Sequence, residues 1–133
     1  MAYTILIVDD SPTTRKYVRG ELEQLGHEVV EAIDGTSALQ TLERQVPALV
    51  ISDVNMAPMD GLTLVTHIRQ RFSRAELPVL MLTTEAGDDL KAKGRAVGAS
   101  GWLTKPFDPS RMSAVIAHLL QNRGRTNKGD ARE

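Results

Sequence analysis

Three short runs of mostly apolar residues divide the chain, at residues 3–8, 49–51 and 79–82, and each leads into polar residues. None of them alternates apolar with polar positions, a pattern typical of parallel strands that are covered on both faces. Two further strands are predicted at residues 28–32 and 100–104. These are shorter or flanked by acidic residues, which favours edge positions.

Apolar residues at helical spacing follow each of the five predicted strands. The third helix is predicted to begin near Gly61, with an apolar face that extends to Phe72. The fourth, between Gly87 and Gly98, carries little apolar surface, so we expect it to be weakly anchored and mobile. The last helix begins at Asp108-Pro109 and has the clearest amphipathic pattern of the five.

Five strands that alternate with five helices predict an α/β fold, a doubly wound parallel sheet with helices on both faces. The strand order 2-1-3-4-5 of flavodoxin-like folds would place the three apolar strands in the centre. We expect one domain over residues 1–121. Residues 122–133 are polar and contain no large apolar side chain, which predicts a disordered C-terminal tail.

Composition narrows the possible functions. The 133 residues include no cysteine, which excludes disulfides and thiolate chemistry, and the net charge of −1 gives no overall attraction to nucleic acid or to anionic lipid. No apolar run approaches the roughly 20 residues needed to span a bilayer, and no signal peptide is recognisable. We therefore expect a cytoplasmic protein with neither a membrane nor a nucleic-acid partner.

Chemically useful side chains stand at the carboxyl ends of the predicted strands, which meet at one edge of such a sheet. They are Asp9, Asp10, Asp53, Thr83 and Lys105. Three close carboxylates repel one another, and a divalent cation would relieve that repulsion. The oxygen donors suit Mg²⁺, with Mn²⁺ as a possible substitute, and no histidine or cysteine is present among them for zinc.

A bound cation would make Asp53 a plausible nucleophile towards a phosphoryl group, because carboxylates form acyl phosphates in enzymes. Thr83 could donate a hydrogen bond to one phosphoryl oxygen and Lys105 to another. These five positions together thus predict phosphoryl chemistry on the side chain of Asp53.

Four motifs resemble receiver domains of two-component response regulators, most closely the stand-alone chemotaxis (CheY-like) type, and the resemblance covers residues 3–121. The motifs are Asp9-Asp10-Ser11, the loop from Asp53 to Gly61, Leu82-Thr83-Thr84-Glu85 and Lys105-Pro106-Phe107. The resemblance implies a single-domain regulator, not an enzyme in the usual sense, that accepts a phosphoryl group from a histidine kinase and changes its affinity for a protein partner.

The resemblance also implies individual roles. Asp53 is the phosphoacceptor, and Mg²⁺ is held by Asp10, by Asp53, by the backbone carbonyl of Asn55 and, through water, by Asp9. Lys105 contacts the phosphoryl group and precedes a cis peptide bond to Pro106.

Further positions are implied in switching and in the lifetime of the phosphate. Thr83 moves towards the phosphoryl group. Asn55 and Glu85 match the chemotaxis type at the two positions that influence how fast the phosphoryl group is lost. Trp102 occupies the place of the aromatic switch residue, which in the family is more often Tyr, Phe or His. The partner would bind the face formed by helix four, strand five and helix five.

Other functions remain open at this point. A phosphate sink or relay without direct output would use the same residues. A magnesium-dependent aspartyl phosphatase would need a second acid where Asn55 stands, and a flavin carrier would need a phosphate-binding loop where Asp9 and Asp10 stand. We expect a monomer. Because only the polar tail follows Gln121, we expect no DNA-binding output domain.

Overall fold

The computed structural model describes residues 2–84 and 87–123. Five strands alternate with five helices, as predicted. In chain order these are β1 (Thr4–Val8), α1 (Pro12–Gln24), β2 (Glu28–Ala32), α2 (Gly35–Arg44), β3 (Leu49–Asp53), α3 (Gly61–Arg69), β4 (Val79–Thr83), α4 (Asp88–Val97), β5 (Gly101–Thr104) and α5 (Pro109–Gln121).

The strands form one parallel sheet in the order β2-β1-β3-β4-β5, which confirms the predicted topology. The apolar strands β1, β3 and β4 are central, and every residue in them except Thr4 is buried. The more polar β2 and the short β5 lie at the edges. There the backbone N–H and C=O groups along one side of the strand have no neighbouring strand to bond with.

Two apolar layers cover the sheet. On one face, side chains of α2, α3 and α4 pack against alternate residues of the strands, among them Leu6, Val50 and Met81. On the other face, α1 and α5 pack against the intervening residues, such as Ile7 and Ile51. Successive strand residues point to opposite faces, so both layers share one sheet.

The third helix is shorter than its apolar pattern predicts. It ends at Arg69, residues 70 and 71 form a turn, and Phe72 directly follows that turn. Gln70 and Arg71 donate backbone hydrogen bonds to carbonyls three residues back, which tightens the chain and ends the regular helix. Phe72 nevertheless packs, half-buried, against the same core as the helix.

Two predictions fall partly outside the described residues. Helix α5 ends at Gln121, and residues 124–133 of the predicted tail lie outside the described residues, as does Glu85. Among the helices that are described, none combines the length and the apolar character that crossing a membrane requires.

Candidate functional site

Three carboxylates meet at the carboxyl edge of the sheet, as predicted. Asp9 follows β1, and Asp53 is the last residue of β3, the neighbouring strand. One carboxylate oxygen from each of Asp9, Asp10 and Asp53 lies within 4.8 Å of the others. Asp9 and Asp53 are buried, whereas Asp10 is exposed, so the cluster opens to solvent on the side of Asp10.

Lys105 completes the charged cluster. It directly follows β5, and its backbone N–H donates to the Thr83 carbonyl at 2.7 Å. Its ammonium Nζ donates to Asp9 Oδ2 and to Asp53 Oδ1, both at 3.3 Å. The peptide bond from Lys105 to Pro106 is cis, as the resemblance implies. One cation therefore contacts two of the three carboxylates.

The environment of Asp53 disfavours its charge. Burial raises the pKa of the Asp53 carboxyl, and the neighbouring charge of Asp9 raises it further. Lys105 and a hydrogen bond from the Asn55 backbone oppose that rise, but the pKa of Asp53 stays above its ordinary value. Lys105 alone thus compensates the buried carboxylate incompletely, and a second cation would stabilise its ionised form.

The donor set fits a small, hard divalent cation. Ligand oxygens around Mg²⁺ lie about 2.0–2.1 Å from the ion, which places neighbouring oxygens about 2.9 Å apart and opposite ones about 4.2 Å apart. The three carboxylate oxygens lie within 4.8 Å of one another, so Asp10 and Asp53 could both reach one ion and Asp9 could reach a water bound to it. The exposed side chain of Asp10 leaves room for the waters that Mg²⁺ retains.

The loop between β1 and α1 holds Asp9 firmly. The backbone N–H of Ser11 donates to Asp9 Oδ1 at 2.8 Å, and the Ser11 hydroxyl caps α1 by accepting from the Thr14 backbone at 3.3 Å. Arg15, in the first turns of α1, donates from Nη1 to the Asp9 carbonyl at 2.6 Å. Sequence reasoning had given Arg15 no role.

The loop after β3 places Asn55 beside Asp53. The Asn55 side chain is exposed, and its backbone bonds to the Asp53 carboxylate. The loop contains a cis peptide bond between Ala57 and Pro58 and ends at Asp60, whose carboxylate caps α3 through Thr63 N at 2.8 Å. A Cβ at Gly61 would collide with the Asp53 backbone oxygen, so only glycine permits this close approach.

Thr83 and Trp102 share one face of the sheet. Thr83 is the buried last residue of β4 and pairs with Thr104, while Trp102 pairs with Met81 two positions earlier. Because strand side chains alternate, Thr83 and Trp102 both point towards the α4 side. The structure thus brings Asp9, Asp10, Asp53 and Lys105 into one cluster, places Thr83 at the next strand end and leaves Trp102 outside the cluster, near α4.

Trp102 packs into a space that α4 provides. A Cβ on Gly94, in the middle of α4, would lie 2.5 Å from Trp102 Cζ3, so the indole fits only against a glycine. The indole Nε1 is buried and has no hydrogen-bond partner within the described residues. A glycine inside a helical pattern is a sequence signal for close packing, and Gly94 is such a glycine, although the sequence analysis gives it no role.

A groove of about 170 Å³ opens beside Trp102. It lies between α4 and β5, and its lining comprises Lys91, Arg95, Ala99, Ser100, Gly101 and Trp102. This is part of the face where a protein partner was predicted, and two of the six lining residues are basic.

Comparison with known proteins agrees with this geometry. The model of the response regulator receiver domain matches residues 5–117. Response regulator Rre1 of Synechocystis is 36% identical over 118 residues, which are 88% of this chain and 51% of that protein. The alkaline phosphatase synthesis transcriptional regulatory protein PhoP of Bacillus subtilis is 33% identical over 117 residues, which are 88% of this chain and 48% of PhoP. The chain thus spans about half the length of these two curated relatives.

A solved structure is similar over nearly its whole length. The chemotaxis protein CheY4 of Vibrio cholerae shares 39% sequence identity with this chain and superposes with a TM-score of 0.84. The superposition covers 90% of this chain and 99% of the CheY4 chain. The similarity includes the strand order and the helices on both faces of the sheet.

Proposed function

This chain belongs to the family of response regulator receiver domains, and from that premise we propose that it accepts a phosphoryl group from a histidine kinase on Asp53. Receiver domains take phosphate from such kinases, interact with protein targets and bind Mg²⁺ at an acidic pocket. They are signalling proteins and not enzymes in the usual sense. The observation that carries the proposal is the contact of Lys105 with both Asp9 and Asp53 inside a three-carboxylate cluster.

The residues present account for each part of the transfer. A carboxylate oxygen of Asp53 attacks phosphorus, the bond from phosphorus to the histidine nitrogen breaks, and that nitrogen keeps the electron pair and takes a proton. Bound Mg²⁺ would neutralise the charge on the transferring oxygens. Asp10, Asp53 and the Asn55 carbonyl would hold the ion directly, and Asp9 would hold it through water.

Lys105 would change partners during the reaction. In the structure its ammonium lies between Asp9 and Asp53, so it already stands beside the accepting oxygen. Once Asp53 carries a phosphoryl group, Lys105 would donate to one of its oxygens, and the Thr83 hydroxyl would move to donate to another. Phosphate brings roughly 1.5 to 2 negative charges and three acceptor oxygens, which supports a local rearrangement.

The rearrangement would reach a partner through α4 and β5. Thr83 precedes the segment that leads into α4, and Trp102 packs against Gly94 of that helix. A partner that binds the face of α4, β5 and α5 more tightly in the phosphorylated form would shift the conformational equilibrium of this face towards the conformation of that form. A partner with equal affinity for both forms would contradict this switch.

The pathway is proposed on similarity alone. The 39% identity with the chemotaxis protein CheY4 supports a role in chemotaxis or motility signalling. A monomer in the cytoplasm stays a prediction from the sequence. We carry no role in transcriptional regulation over from PhoP, because the match covers only 48% of that protein.

The single tryptophan allows one experiment to test the site and the switch. Trp102 fluorescence is followed while Mg²⁺ is added, and then beryllofluoride as a mimic of the acyl phosphate, on wild type and on Asp53→Asn. We expect a response to each addition, with the beryllofluoride response lost in Asp53→Asn. Calorimetric binding of Mg²⁺ with a silent tryptophan would remove Trp102 from the switch and leave the acceptor site intact. Failure of wild type to bind Mg²⁺ would contradict the site itself.

A further inference from the structure

We propose that Arg15 is a positioning residue for the cation site: its guanidinium holds the Asp9 carbonyl and thereby fixes the peptide from which the Asp10 carboxylate reaches the cation. That a cation binds here rests on the proposed function, whereas the contacts of Arg15 are observed.

Arg15 connects three parts of the fold. From its place on α1 it donates from Nη1 to the Asp9 carbonyl at 2.6 Å and from Nε to Glu31 Oε1 at 3.0 Å. Glu31 lies on β2, so the guanidinium joins α1, the end of β1 and the neighbouring strand. The Arg15 side chain is only 15% exposed. A planar guanidinium held by two acceptors in different directions has little freedom to move.

The Asp9 carbonyl is where this restraint matters most. The Asp9 N–H donates to the Ala32 carbonyl at 3.2 Å, and its carboxylate accepts from Ser11 and Lys105. The carbonyl belongs to the peptide bond that joins Asp9 to Asp10, so the contact with Arg15 fixes the plane of that bond. Every polar group of Asp9 is therefore held.

Asp10 has no such support of its own. Its side chain is exposed and makes no hydrogen bond or ion pair with any residue that the structure describes. Among the described residues, the backbone before Asp10 is therefore the restraint on where its carboxylate can reach. Residues that orient the ligands of a metal commonly change its affinity by about 10- to 100-fold when they are replaced.

The charge of Arg15 predicts the opposite effect, which makes the inference testable. A cation near the site repels Mg²⁺, so its removal would strengthen metal binding if charge were all that Arg15 contributed. Loss of positioning would weaken metal binding.

Arg19 offers a matched control. It stands one helical turn further along α1 and also pairs with Glu31, but its other partner among the described residues is Glu23 and not the β1–α1 loop. Arg19→Gln therefore removes the same charge from the same network without releasing the Asp9 carbonyl.

The experiment measures Mn²⁺, as a probe for the Mg²⁺ site, by electron paramagnetic resonance on the full chain. We expect Arg15→Gln to weaken Mn²⁺ binding about tenfold and Arg19→Gln to change it less than twofold. We also expect one additional water on the bound Mn²⁺ of Arg15→Gln, counted by line broadening in ¹⁷O-labelled water, because Asp10 no longer occupies its position. Arg15→Lys keeps the charge but not the fork, so we expect intermediate affinity.

Three outcomes would overturn the inference: Mn²⁺ binding in Arg15→Gln that is equal to or tighter than in wild type, an unchanged water count, or the same weakening in Arg19→Gln. Melting temperatures of all variants identify a folding defect, and Arg15→Lys then serves in place of Arg15→Gln. If wild type itself bound no Mn²⁺, the proposed cation site would fail first, and the two failures are therefore distinguishable.

Discussion

Helices α4 and α5 flank the same edge strand, β5, from opposite faces of the sheet, but they are held very differently. The N-cap of helix α5 is Asp108, whose carboxylate accepts from the Ser110 backbone, and the helix buries four apolar side chains: Met112, Ile116, Leu119 and Leu120. The N-cap position of helix α4 is Gly87, which offers no side-chain cap, and the one buried residue of the helix is Gly94. The two helices thus differ in both sources of helix stability, capping and apolar burial.

The two ends of α4 differ as well. Gly98 ends the helix in the left-handed conformation at φ 103°, and its carbonyl accepts from Arg69 Nε at 2.8 Å. Arg74 donates to the Arg95 carbonyl at 2.9 Å. Burial lowers the pKa of Arg69 to about 10, which leaves the guanidinium charged at neutral pH. The C-terminal end is therefore fixed, and the less restrained N-terminal end is the one that follows the Thr83 strand.

This contrast indicates where the domain can rearrange at low cost. A helix fixed at one end and bound by little apolar surface can pivot, whereas movement of α5 would expose much of one core. The mobility predicted for α4 stays a prediction, but its scarce burial and missing cap are now observed. Four pairs of substitutions test whether the two helices differ in this way.

The largest expected difference comes from truncating the apolar contacts of the two helices. Ile116→Ala in α5 removes a fully buried side chain, so we expect a loss of about 2–5 kcal/mol in the free energy of unfolding. Leu90→Ala in α4 removes a half-buried one, and we expect about 1 kcal/mol. Urea denaturation measures both. Equal losses would contradict the view that α5 is the firmly held helix.

The next effect concerns the anchor at the C-terminal end of α4. Arg69→Met leaves the carbonyls of Gly98 and Leu77, among others, without their donor, and we expect a loss of about 2–4 kcal/mol. Arg71→Met, at an exposed position beside Phe72, is the control and should stay within about 0.5 kcal/mol.

Amide hydrogen exchange locates the effect of Arg69. We expect Arg69→Met to accelerate exchange most strongly in the last turn of α4 and in the segment before β5. Acceleration that is uniform over the whole chain would mean that Arg69 stabilises the fold without anchoring this helix.

The third comparison uses two glycines in helices. In α1 a Cβ on Gly20 meets nothing within 4 Å, so Gly20→Ala should stabilise the protein by about 0.5–1 kcal/mol. In α4 a Cβ on Gly94 meets the Trp102 ring, so Gly94→Ala should destabilise it by about 1–3 kcal/mol or push the indole outward. A red shift of Trp102 emission in Gly94→Ala alone would identify the displaced ring. Equal stabilisation by both substitutions would contradict the size match.

Most of the fold and of the charged cluster follows from local sequence. Polar residues that end apolar strands must meet when the strands are parallel, which is why Asp9, Asp53 and Lys105 could be placed together although up to 96 residues separate them. The edge positions of β2 and β5 follow equally from their polarity and length.

What the sequence did not reveal depends on contacts across the fold. Arg15 and Arg69 look like ordinary solvated residues on helices, because nothing nearby in sequence announces the carbonyls that they bind. Arg69 reaches Gly98 across 29 residues. The fit of Trp102 against Gly94 requires the packing of a helix on a strand, and the early end of α3 before Phe72 depends on turn hydrogen bonds that an apolar pattern does not encode.

The smallest effect comes from exchanging the caps of the two helices. Asp108→Ala removes the cap of α5 and should cost about 1 kcal/mol, whereas Gly87→Ser offers α4 a capping hydroxyl and should gain a few tenths of a kcal/mol. Gly87 accepts the change because its φ of −69° is ordinary and a Cβ there meets nothing within 4 Å. Urea denaturation gives both values, and amide exchange in the first turn of α4 should slow only in Gly87→Ser. Unchanged exchange there would mean that this end of α4 is already as well held as the start of α5. It would contradict the view that α4 can pivot about its C-terminal end.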